Sequence, residues 1–402
     1  MNQSAGNKSI LSEPMEFRTA VSPLLTLTGI FFLNFLTRII LSPFLVYISE
    51  EFSLSKAQAG ELFLLLSLGY SIALFCSTFI SSRISHRSVV IISALGIGAA
   101  LCLAALSPSA FWLRTSLFIA GLFGGLYFPS GFALLTSLVS PSNWGKAIAI
   151  HEIAPNLSFI TAPLLAELFI RTGLGWRWML LAIGVYALVA FFLFIRFCKC
   201  GDDISLAPNP ASYKKILIKP AFWVIVSFFI LAIGSTQGVF SQTPMYLVTS
   251  TDINPEWVNY LLSLSRISGI FLVFWAGYLV DNLGVNRALF IFMGLTGLST
   301  MALGIISGTW LVAAVIIQPT MASCYFPAGF AALSISFPAE QRPIAISLIV
   351  PCAVLVGGGL IPTMLGYFGD KDMFATGFIL LGFIISVSVM AIRFLPEKGK
   401  DQ

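Results

Sequence analysis

Residues Tyr127 to Ala133 read YFPSGFA, and residues Tyr325 to Ala331 read YFPAGFA. Six of the seven positions are identical, and the two heptapeptides start 198 positions apart in a chain of 402 residues. Each heptapeptide lies inside a long apolar stretch. A repeat with a period of about half the chain predicts two copies of one structural unit, packed against each other.

Composition predicts an integral membrane protein. Hydrophobic residues make up 57% of the chain and charged residues only 10%, whereas soluble domains carry about 25% charged residues. The mean hydropathy is +0.94. Twelve apolar stretches are long enough to cross a bilayer, for which a helix needs about 20 residues. We therefore expect an all-α membrane protein with twelve transmembrane helices in two pseudo-symmetric six-helix bundles.

Polar segments divide the chain into a regular order of domains. We expect a cytoplasmic tail at 1–22, an N-terminal six-helix bundle at 23–197, a cytoplasmic linker at 198–219, a C-terminal six-helix bundle at 220–395 and a second cytoplasmic tail at 396–402. Lys and Arg are retained on the cytoplasmic side of a membrane. Their distribution over the loops predicts a multi-pass protein of the cell membrane (inner or plasma membrane) with both termini cytoplasmic.

Charged residues deep within the predicted spans are the first candidates for a functional site. They are Arg38, Glu152 and Arg266, and His151 is a titratable neighbour. An arginine at the centre of a helix costs about 2.5–3.5 kcal/mol on insertion scales, so a cavity or a counter-charge has to relieve it. We hypothesise that the counter-charge is a small organic anion, because guanidinium groups bind carboxylates, sulfonates and phosphates through paired hydrogen bonds. The alternative is that helix carbonyls, Glu152 and water satisfy the arginines as structural struts.

Uncharged polar residues extend this candidate site. Asn34 lies one turn before Arg38 on the same helix face, and Gln237 lies one place from the repeat counterpart of Arg38. Three further candidates for substrate contact lie on the fourth and tenth spans: Tyr127, Gln318 and Tyr325. The two tyrosines belong to the repeated heptapeptides, so packing of the bundle is an alternative role for them.

His151 and Glu152 are the candidates for proton coupling or for an inner gate. Histidine ordinarily changes its charge near neutral pH, and a carboxylate in the membrane can take up a proton. In the alternative, Glu152 pairs with Lys146 or Arg87 at the inner gate. Anion exchange without a proton also remains open, because two arginines can hold one anion after another.

The chain resembles the major facilitator superfamily over nearly its full length. The resemblance rests on twelve spans in two groups of six, on the central linker and on the Gly-Trp-Arg-Trp run at Gly175–Trp178. It rests also on the loop pattern G-x-x-x-D-x-x-G after the eighth span, which is expected to form a tight cytoplasmic turn. The residues of this loop motif are Gly277, Asp281, Gly284 and Arg287.

The first two spans are similar to the anion:cation symporter branch of that superfamily. The similarity lies in the run Asn34-Phe-Leu-Thr-Arg38 and in Ser42-Pro43. In that branch an arginine of the first span contacts an organic anion, a role that would fall on Arg38. Thr37 stands where the branch often has an acidic residue, so the resemblance implies no proton coupling through that position.

Together these features predict a secondary active transporter that moves a small organic anion by alternating access, with proton symport preferred. The alternatives are anion exchange, export of amphipathic or drug-like compounds and, more remotely, a transporter-like anion sensor. The sequence contains no G-x-x-x-x-G-K-[ST] run, no H-E-x-x-H and no nucleophile elbow. We therefore expect no enzyme activity, no cofactor, no metal site and no nucleic-acid partner. We expect a monomer surrounded by membrane lipid.

Overall fold

The computed structural model describes residues 16–199, 203–204, 210–338 and 340–396. Within these residues, twelve helical segments are long and apolar enough to cross a membrane, and we call them spans 1 to 12. The first six are Phe17–Phe52, Lys56–Ser81, His86–Ala105, Ala110–Leu138, Pro141–Arg171 and Gly175–Phe197. The second six are Pro220–Ser250, Pro255–Leu283, Val285–Ile305, Trp310–Ser336, Arg342–Asp370 and Phe374–Phe394. The predicted fold class is confirmed.

Several spans consist of more than one helical segment. Span 1 consists of Phe17–Ile39, a 3₁₀ turn at Ser42–Phe44 and Leu45–Phe52. Span 5 consists of a 3₁₀ turn at Pro141–Asn143, followed by Trp144–His151 and Ile153–Arg171. Span 10 divides into Trp310–Ser323 and Tyr325–Ser336, and span 12 into Phe374–Ser388 and Val389–Phe394.

Spans 7 and 11 each contain a π-helical segment, and the two segments face each other. They are Gly234–Gly238 and Val354–Leu360. A Cβ atom on Gly238 would lie 2.6 Å from the carbonyl oxygen of Gly357, so only glycine allows the two backbones to approach this closely. Such π turns within α-helices occur frequently at functional sites.

The repeated heptapeptide has a packing role that explains its tyrosine and glycine. In each copy the tyrosine ring lies along its own helix over the glycine four residues later. A Cβ atom on Gly131 would lie 2.6 Å from Cζ of Tyr127, and one on Gly329 would lie 2.6 Å from Cζ of Tyr325. Both tyrosines are buried. The identity of the two heptapeptides therefore reflects one packing arrangement used twice.

The two halves meet mainly through spans 1 and 7, spans 2 and 11, and spans 5 and 8. We call the face where span 1 begins and span 12 ends the terminal face, and the opposite one the distal face. Among the described residues, the hydrogen bonds between the two halves extend from the distal face to just beyond the middle of the spans. The deepest joins Oγ of Ser71 to the carbonyl of Pro351 at 2.8 Å. The halves are thus joined at the distal face.

Two of the predicted polar segments contain helical residues. The helix of span 1 begins at Phe17, inside the predicted tail 1–22, because a helix can continue beyond its apolar stretch when its backbone bonds are made internally. Residues 1–15 of that tail lie outside the described residues. The predicted linker 198–219 contains a short helix, Pro210–Leu217, which carries Lys214 and Lys215 in its last turn.

Candidate anion site between the two halves

Arg38 reaches from span 1 across to span 7. Its Nη2 donates a hydrogen bond to Oε1 of Gln237 at 2.7 Å, and its guanidinium lies 4.9 Å from the ring centre of Phe35 and 4.7 Å from that of Tyr70. The side chain is half-buried. Within the described part of the chain Arg38 forms no ion pair with a carboxylate. The Arg38 guanidinium therefore contacts two aromatic rings and an amide, and no carboxylate among the described residues.

Arg266 on span 8 is more deeply buried, with 7% of its surface exposed. Its Nη2 donates to the carbonyl of Thr236 at 2.9 Å, and its guanidinium lies 4.0 Å from the ring centre of Phe159 and 4.7 Å from that of Phe240. The Nε atom is buried without a hydrogen-bond partner. Among described residues it too has no carboxylate partner, so a buried cation lacks a counter-charge.

Side chains from three other spans donate hydrogen bonds to three successive residues of the π-helical segment of span 7. Gln318 Nε2 donates to the carbonyl of Ser235 at 3.0 Å, Arg266 donates to Thr236 and Arg38 to the side chain of Gln237. A π turn disturbs the regular backbone ladder, so its carbonyls become available to side chains. The structure thereby brings together four predicted site residues around one turn: Arg38, Gln237, Arg266 and Gln318.

Three other predicted substrate contacts lie within the packing of their own halves. Asn34 is 1% exposed, and its Nδ2 donates to the carbonyl of Gly124 on span 4 at 2.7 Å, while its Oδ1 has no partner. Tyr127 contacts spans 1 and 5 of the first half. Tyr325 packs edge-on against Phe229, and its buried hydroxyl has no partner. The helix spacing placed Asn34 near Arg38, but the side chain turns towards span 4.

His151 is held in a buried cluster with Tyr127. The Tyr127 hydroxyl donates to the carbonyl of Leu27 at 2.9 Å and lies 3.0 Å from Nε2 of His151. Because the single hydroxyl proton goes to the carbonyl, Nε2 carries the proton that is donated to Tyr127. The imidazole stacks on Phe31 at 4.1 Å between ring centres and is 1% exposed. Its Nδ1 is left to face Glu152, with 3.7 Å between Nδ1 and Oε1.

A break in span 5 separates His151 from the helix that follows it. Pro155 has no N–H to donate to the carbonyl of His151, so the α-helical ladder is interrupted there. One helix ends at His151 and the next begins at Ile153. Glu152 lies at this break, and half of its side chain is exposed.

The alternative pairing of Glu152 is not formed between these described side chains. Lys146 instead lies over the ring of Phe17 at 5.6 Å, and Arg87 donates through Nε to the carbonyl of Cys198 at 3.0 Å. The ion pair of Glu152 is with its neighbour His151, and only when the imidazole is protonated. Two titratable groups are thus adjacent, one buried and one half-exposed.

Glu167 is a buried carboxylate that the sequence did not indicate as part of a site. Glu167 is 6% exposed and lies near the distal end of span 5. It accepts hydrogen bonds from Nε of Arg171 at 2.7 Å and, across the halves, from Nδ2 of Asn259 at 3.1 Å. The spacing of Glu167 and Arg171, four residues apart on one helix, is the signal that could have revealed it. Tyr70 and Phe159, which stack on the two arginines, carry no such signal.

The predicted cytoplasmic loop motif is mostly helical. The helix of span 8 runs to Leu283, so Gly277 and Asp281 lie on its last two turns, and Arg287 lies in the first turn of span 9. Only Gly284 forms the turn, with a φ of +80° that favours glycine. A tight turn between two spans needs only this one residue outside the helices.

The fold and the motifs agree with the comparison to known families. The sequence pattern of the Major Facilitator Superfamily matches residues 27–362 and 249–402. The chain belongs to this superfamily. Its twelve candidate membrane helices make it a multi-pass membrane protein, as the sequence predicted.

Relatives in the superfamily are distant. A Protein TsgA homolog of Buchnera aphidicola subsp. Acyrthosiphon pisum is 24% identical over 257 residues, which cover 63% of this chain and 64% of the relative. The match thus spans less than two thirds of that relative. A D-galactonate transporter of Escherichia coli O6:H1 is 22% identical over 390 residues, covering 87% of this chain and 89% of the relative. A bacterial homolog of the human lysosomal transporter Spinster, crystallised in an inward-facing and unoccupied conformation, superposes with a TM-score of 0.77 at 15% identity, covering 97% and 98% of the two chains.

Proposed function

We propose that this superfamily member is a secondary active transporter that moves a small organic anion by alternating access, with the anion bound between Arg38 and Arg266. The observation that supports this proposal is the pair of arginines itself. They come from opposite halves, they engage neighbouring residues of one π-helical turn, and no carboxylate among the described residues neutralises either of them. An anion bound to both would attract the two halves towards each other.

The chemistry of the two side chains favours a carboxylate, sulfonate or phosphate. Guanidinium groups carry several N–H donors in a planar fork that matches such oxyanions. Arg38 uses one of its donors on Gln237, and Nε of Arg266 has no partner. The relative named as a D-galactonate transporter supports a small carboxylate, because galactonate is a sugar acid. Gln237 would hold Arg38 in place beside the bound anion, and Gln318 would hold the turn next to Thr236, which binds Arg266.

Alternating access is supported by the uneven contact between the halves. Hydrogen bonds among the described residues join the halves from the distal face to just beyond the middle of the spans. We propose the predicted domains, 1–22, 23–197, 198–219, 220–395 and 396–402, with both termini and the linker cytoplasmic in the cell membrane. The terminal face is then the cytoplasmic one, and this conformation is closed to the outside. A monomer in lipid suffices, because both arginines come from one chain.

Proton symport is the coupling mode that the His151 cluster favours. A proton at Nδ1 would place a positive charge 3.7 Å from the Glu152 carboxylate, and the half-exposed Glu152 would connect the buried imidazole to the surface of span 5. Anion exchange is the second candidate, and it is favoured by a different observation. Neither Arg38 nor Arg266 has a carboxylate partner among the described residues, so the anion site itself need not bind a proton.

The anion proposal can be tested by thermal unfolding of the purified protein with D-galactonate, D-gluconate, benzoate, sulfate and phosphate. We expect at least one of these anions to raise the unfolding temperature of the wild type, and the rise to disappear in Arg38→Gln and Arg266→Gln. Arg196→Gln is the matched control, because Arg196 is exposed at the end of span 6 and should leave the rise intact. Stabilisation by hydrophobic cations and by none of the anions would favour an exporter of amphipathic compounds instead.

Coupling can be tested in proteoliposomes with the best-stabilising anion of that panel. Symport predicts uptake driven by an imposed pH gradient, which His151→Gln and Glu152→Gln should abolish. Exchange predicts uptake that requires a trapped anion and ignores the pH gradient. Binding without uptake or counterflow in either assay would identify a sensor and contradict transport.

A further inference from the structure

Phe159 lies between the two arginines in a continuous series of aromatic contacts. Its ring centre is 5.4 Å from that of Phe35, which stacks on Arg38, and 4.0 Å from the guanidinium of Arg266. It also packs edge-on against Phe240 at 5.0 Å. Arg266 is therefore held between two rings, and one of them belongs to the opposite half of the molecule.

Arg266 contacts Phe159 across the two halves, whereas it contacts Phe240 within its own half, so only the Phe159 contact changes when the halves move apart. Phe240 lies on span 7 and Arg266 on span 8, so both belong to the second half. Phe159 lies on span 5, and the contact between spans 5 and 8 is one of the joints that close the distal face. The adjacent residue, Ile160, accepts a hydrogen bond from Ser263 across the same joint at 2.9 Å.

The repeat provides no equivalent ring on the other side. Gly357 occupies the position 198 residues after Phe159, and its Cβ-free backbone packs against span 7. Arg38 likewise has no arginine counterpart, because Thr236 lies at that position. In the distal-closed state Arg266 is therefore covered by a ring from the opposite half, whereas Arg38 is half-buried.

We infer that Phe159 is a state-dependent cover for Arg266. In the distal-closed state its ring satisfies the guanidinium by a cation–π contact and keeps it 7% exposed. When spans 5 and 8 separate at the distal face, Phe159 moves away with the first half, and Arg266 becomes free to bind the anion beside Arg38. Phe159 is thus a positioning residue that links anion binding to movement of the halves. The statement that an uncovered Arg266 binds the anion rests on the proposed function.

The inference can be tested first without any ligand, by distance measurements between spin labels at the distal face. Thr172 and Glu256 are exposed label sites at the distal ends of spans 5 and 8, introduced as cysteines after replacement of the native ones. Phe159→Leu keeps apolar volume but removes the ring, so the ratio of distal-open to distal-closed molecules should rise about threefold or more. Phe159→Tyr keeps the ring and should behave as the wild type.

A double-mutant cycle separates the cation–π contact from simple packing. In an Arg266→Gln background there is no cation to cover, so Phe159→Leu should no longer change the distance distribution. Phe240→Leu is the matched control: its ring stays with Arg266 in both states, and it loses the edge-on contact with Phe159 whether or not Arg266 is present, so its effect on the distribution should be equal in the two backgrounds. An equal shift by Phe159→Leu with and without Arg266 would overturn the inference.

Binding of the best-stabilising panel anion gives the second readout. Phe159→Leu should bind that anion about threefold more tightly than the wild type, because Arg266 is uncovered more of the time. Unchanged or weaker binding would overturn the cover role. If no anion binds the wild type, the proposed function fails, whereas the ligand-free distances still decide whether Phe159 holds Arg266.

Discussion

Ser42 and Phe240 are hydrogen bonded to each other, and they occupy equivalent places in the two halves. The hydroxyl of Ser42 donates to the carbonyl of Phe240 at 2.8 Å, and the two residues are 198 positions apart, the same offset that separates the repeated heptapeptides. Spans 1 and 7 therefore cross where the repeat relates one half to the other. Arg38 and Gln237 meet one turn away along both spans, so the candidate site lies beside this pseudo-symmetric crossing.

Gln237→Glu should replace the missing counter-charge with one built into the protein. The new carboxylate would lie where Oε1 now accepts a hydrogen bond from Arg38 at 2.7 Å. Hydrogen bonds to charged groups contribute about 1.5–3 kcal/mol, so we expect a more stable protein in the absence of anions. We also expect the stabilisation by added anion to disappear, because the site would already be filled. Thermal unfolding with and without the anion measures both effects.

Gln237→Asn is the matched control for that substitution. It keeps an uncharged amide but shortens the side chain, so it should weaken the contact with Arg38 without supplying a charge. A Gln237→Glu protein that still responds to added anion as the wild type does would show that the anion does not bind next to Arg38.

The two heptapeptide tyrosines should respond differently to loss of their hydroxyl groups. Tyr127→Phe leaves the carbonyl of Leu27 and Nε2 of His151 without their partner, and an unsatisfied buried group costs about 1–3 kcal/mol. Tyr325→Phe removes a buried hydroxyl that has no partner, so it should be neutral or stabilising. Chemical unfolding in detergent compares the two free energies, and equal losses would contradict this account.

The sequence predicts the architecture well because its signals are local. Apolar length alone identifies the spans, and the repeated YFP-x-G pattern relates the halves, since the tyrosine and glycine of each copy contact each other within one helix. The spacing of hydrophobic residues also locates Arg38 and Arg266 within their spans. These properties depend on neighbours a few residues away.

The environment of the two arginines depends on contacts between distant segments and could not be predicted in this way. Nothing in the sequence pairs Phe159 with Arg266, which is more than a hundred positions away, or directs Asn34 towards Gly124. The π turn at Gly234–Gly238 is equally hidden: its glycines indicate close packing, but the altered backbone ladder depends on how spans 7 and 11 meet. Glu167 was overlooked because its burial arises from Asn259 on the opposite half.

Gly131→Ala should destabilise the protein by overpacking. The added Cβ atom would lie 2.6 Å from Cζ of Tyr127, and the ring cannot move freely because its hydroxyl is bonded to the Leu27 carbonyl. Overpacking of this kind costs about 1–3 kcal/mol. Gly145→Ala is the control, since no atom lies within 4 Å of a Cβ there. That substitution should gain up to about 1 kcal/mol from helix propensity, so a similar loss in both variants would contradict the packing role of Gly131.

Asp370 should control how firmly the distal face is closed. Its carboxylate, on span 11, accepts hydrogen bonds from the backbone N–H groups of Lys56 at 2.6 Å and Ala57 at 3.1 Å and from the Ser55 hydroxyl at 2.8 Å. It thus caps the first turn of span 2 from the opposite half, where a negative charge also interacts favourably with the helix dipole. Asp370→Asn should weaken this contact by about 1 kcal/mol and favour the distal-open state.

Hydrogen exchange at the start of span 2 gives a direct measurement of this effect, because the amides of Lys56 and Ala57 are themselves the donors. They should exchange several-fold faster in Asp370→Asn, since each opening of the distal face exposes them to water. Asp372→Asn is the control. The Asp372 side chain is 94% exposed and forms a surface ion pair with Nζ of Lys56 at 3.4 Å, and such pairs contribute little to stability. Unchanged exchange in Asp370→Asn would mean that the distal joint is held by spans 5 and 8, through Glu167 and Asn259, and not by span 11.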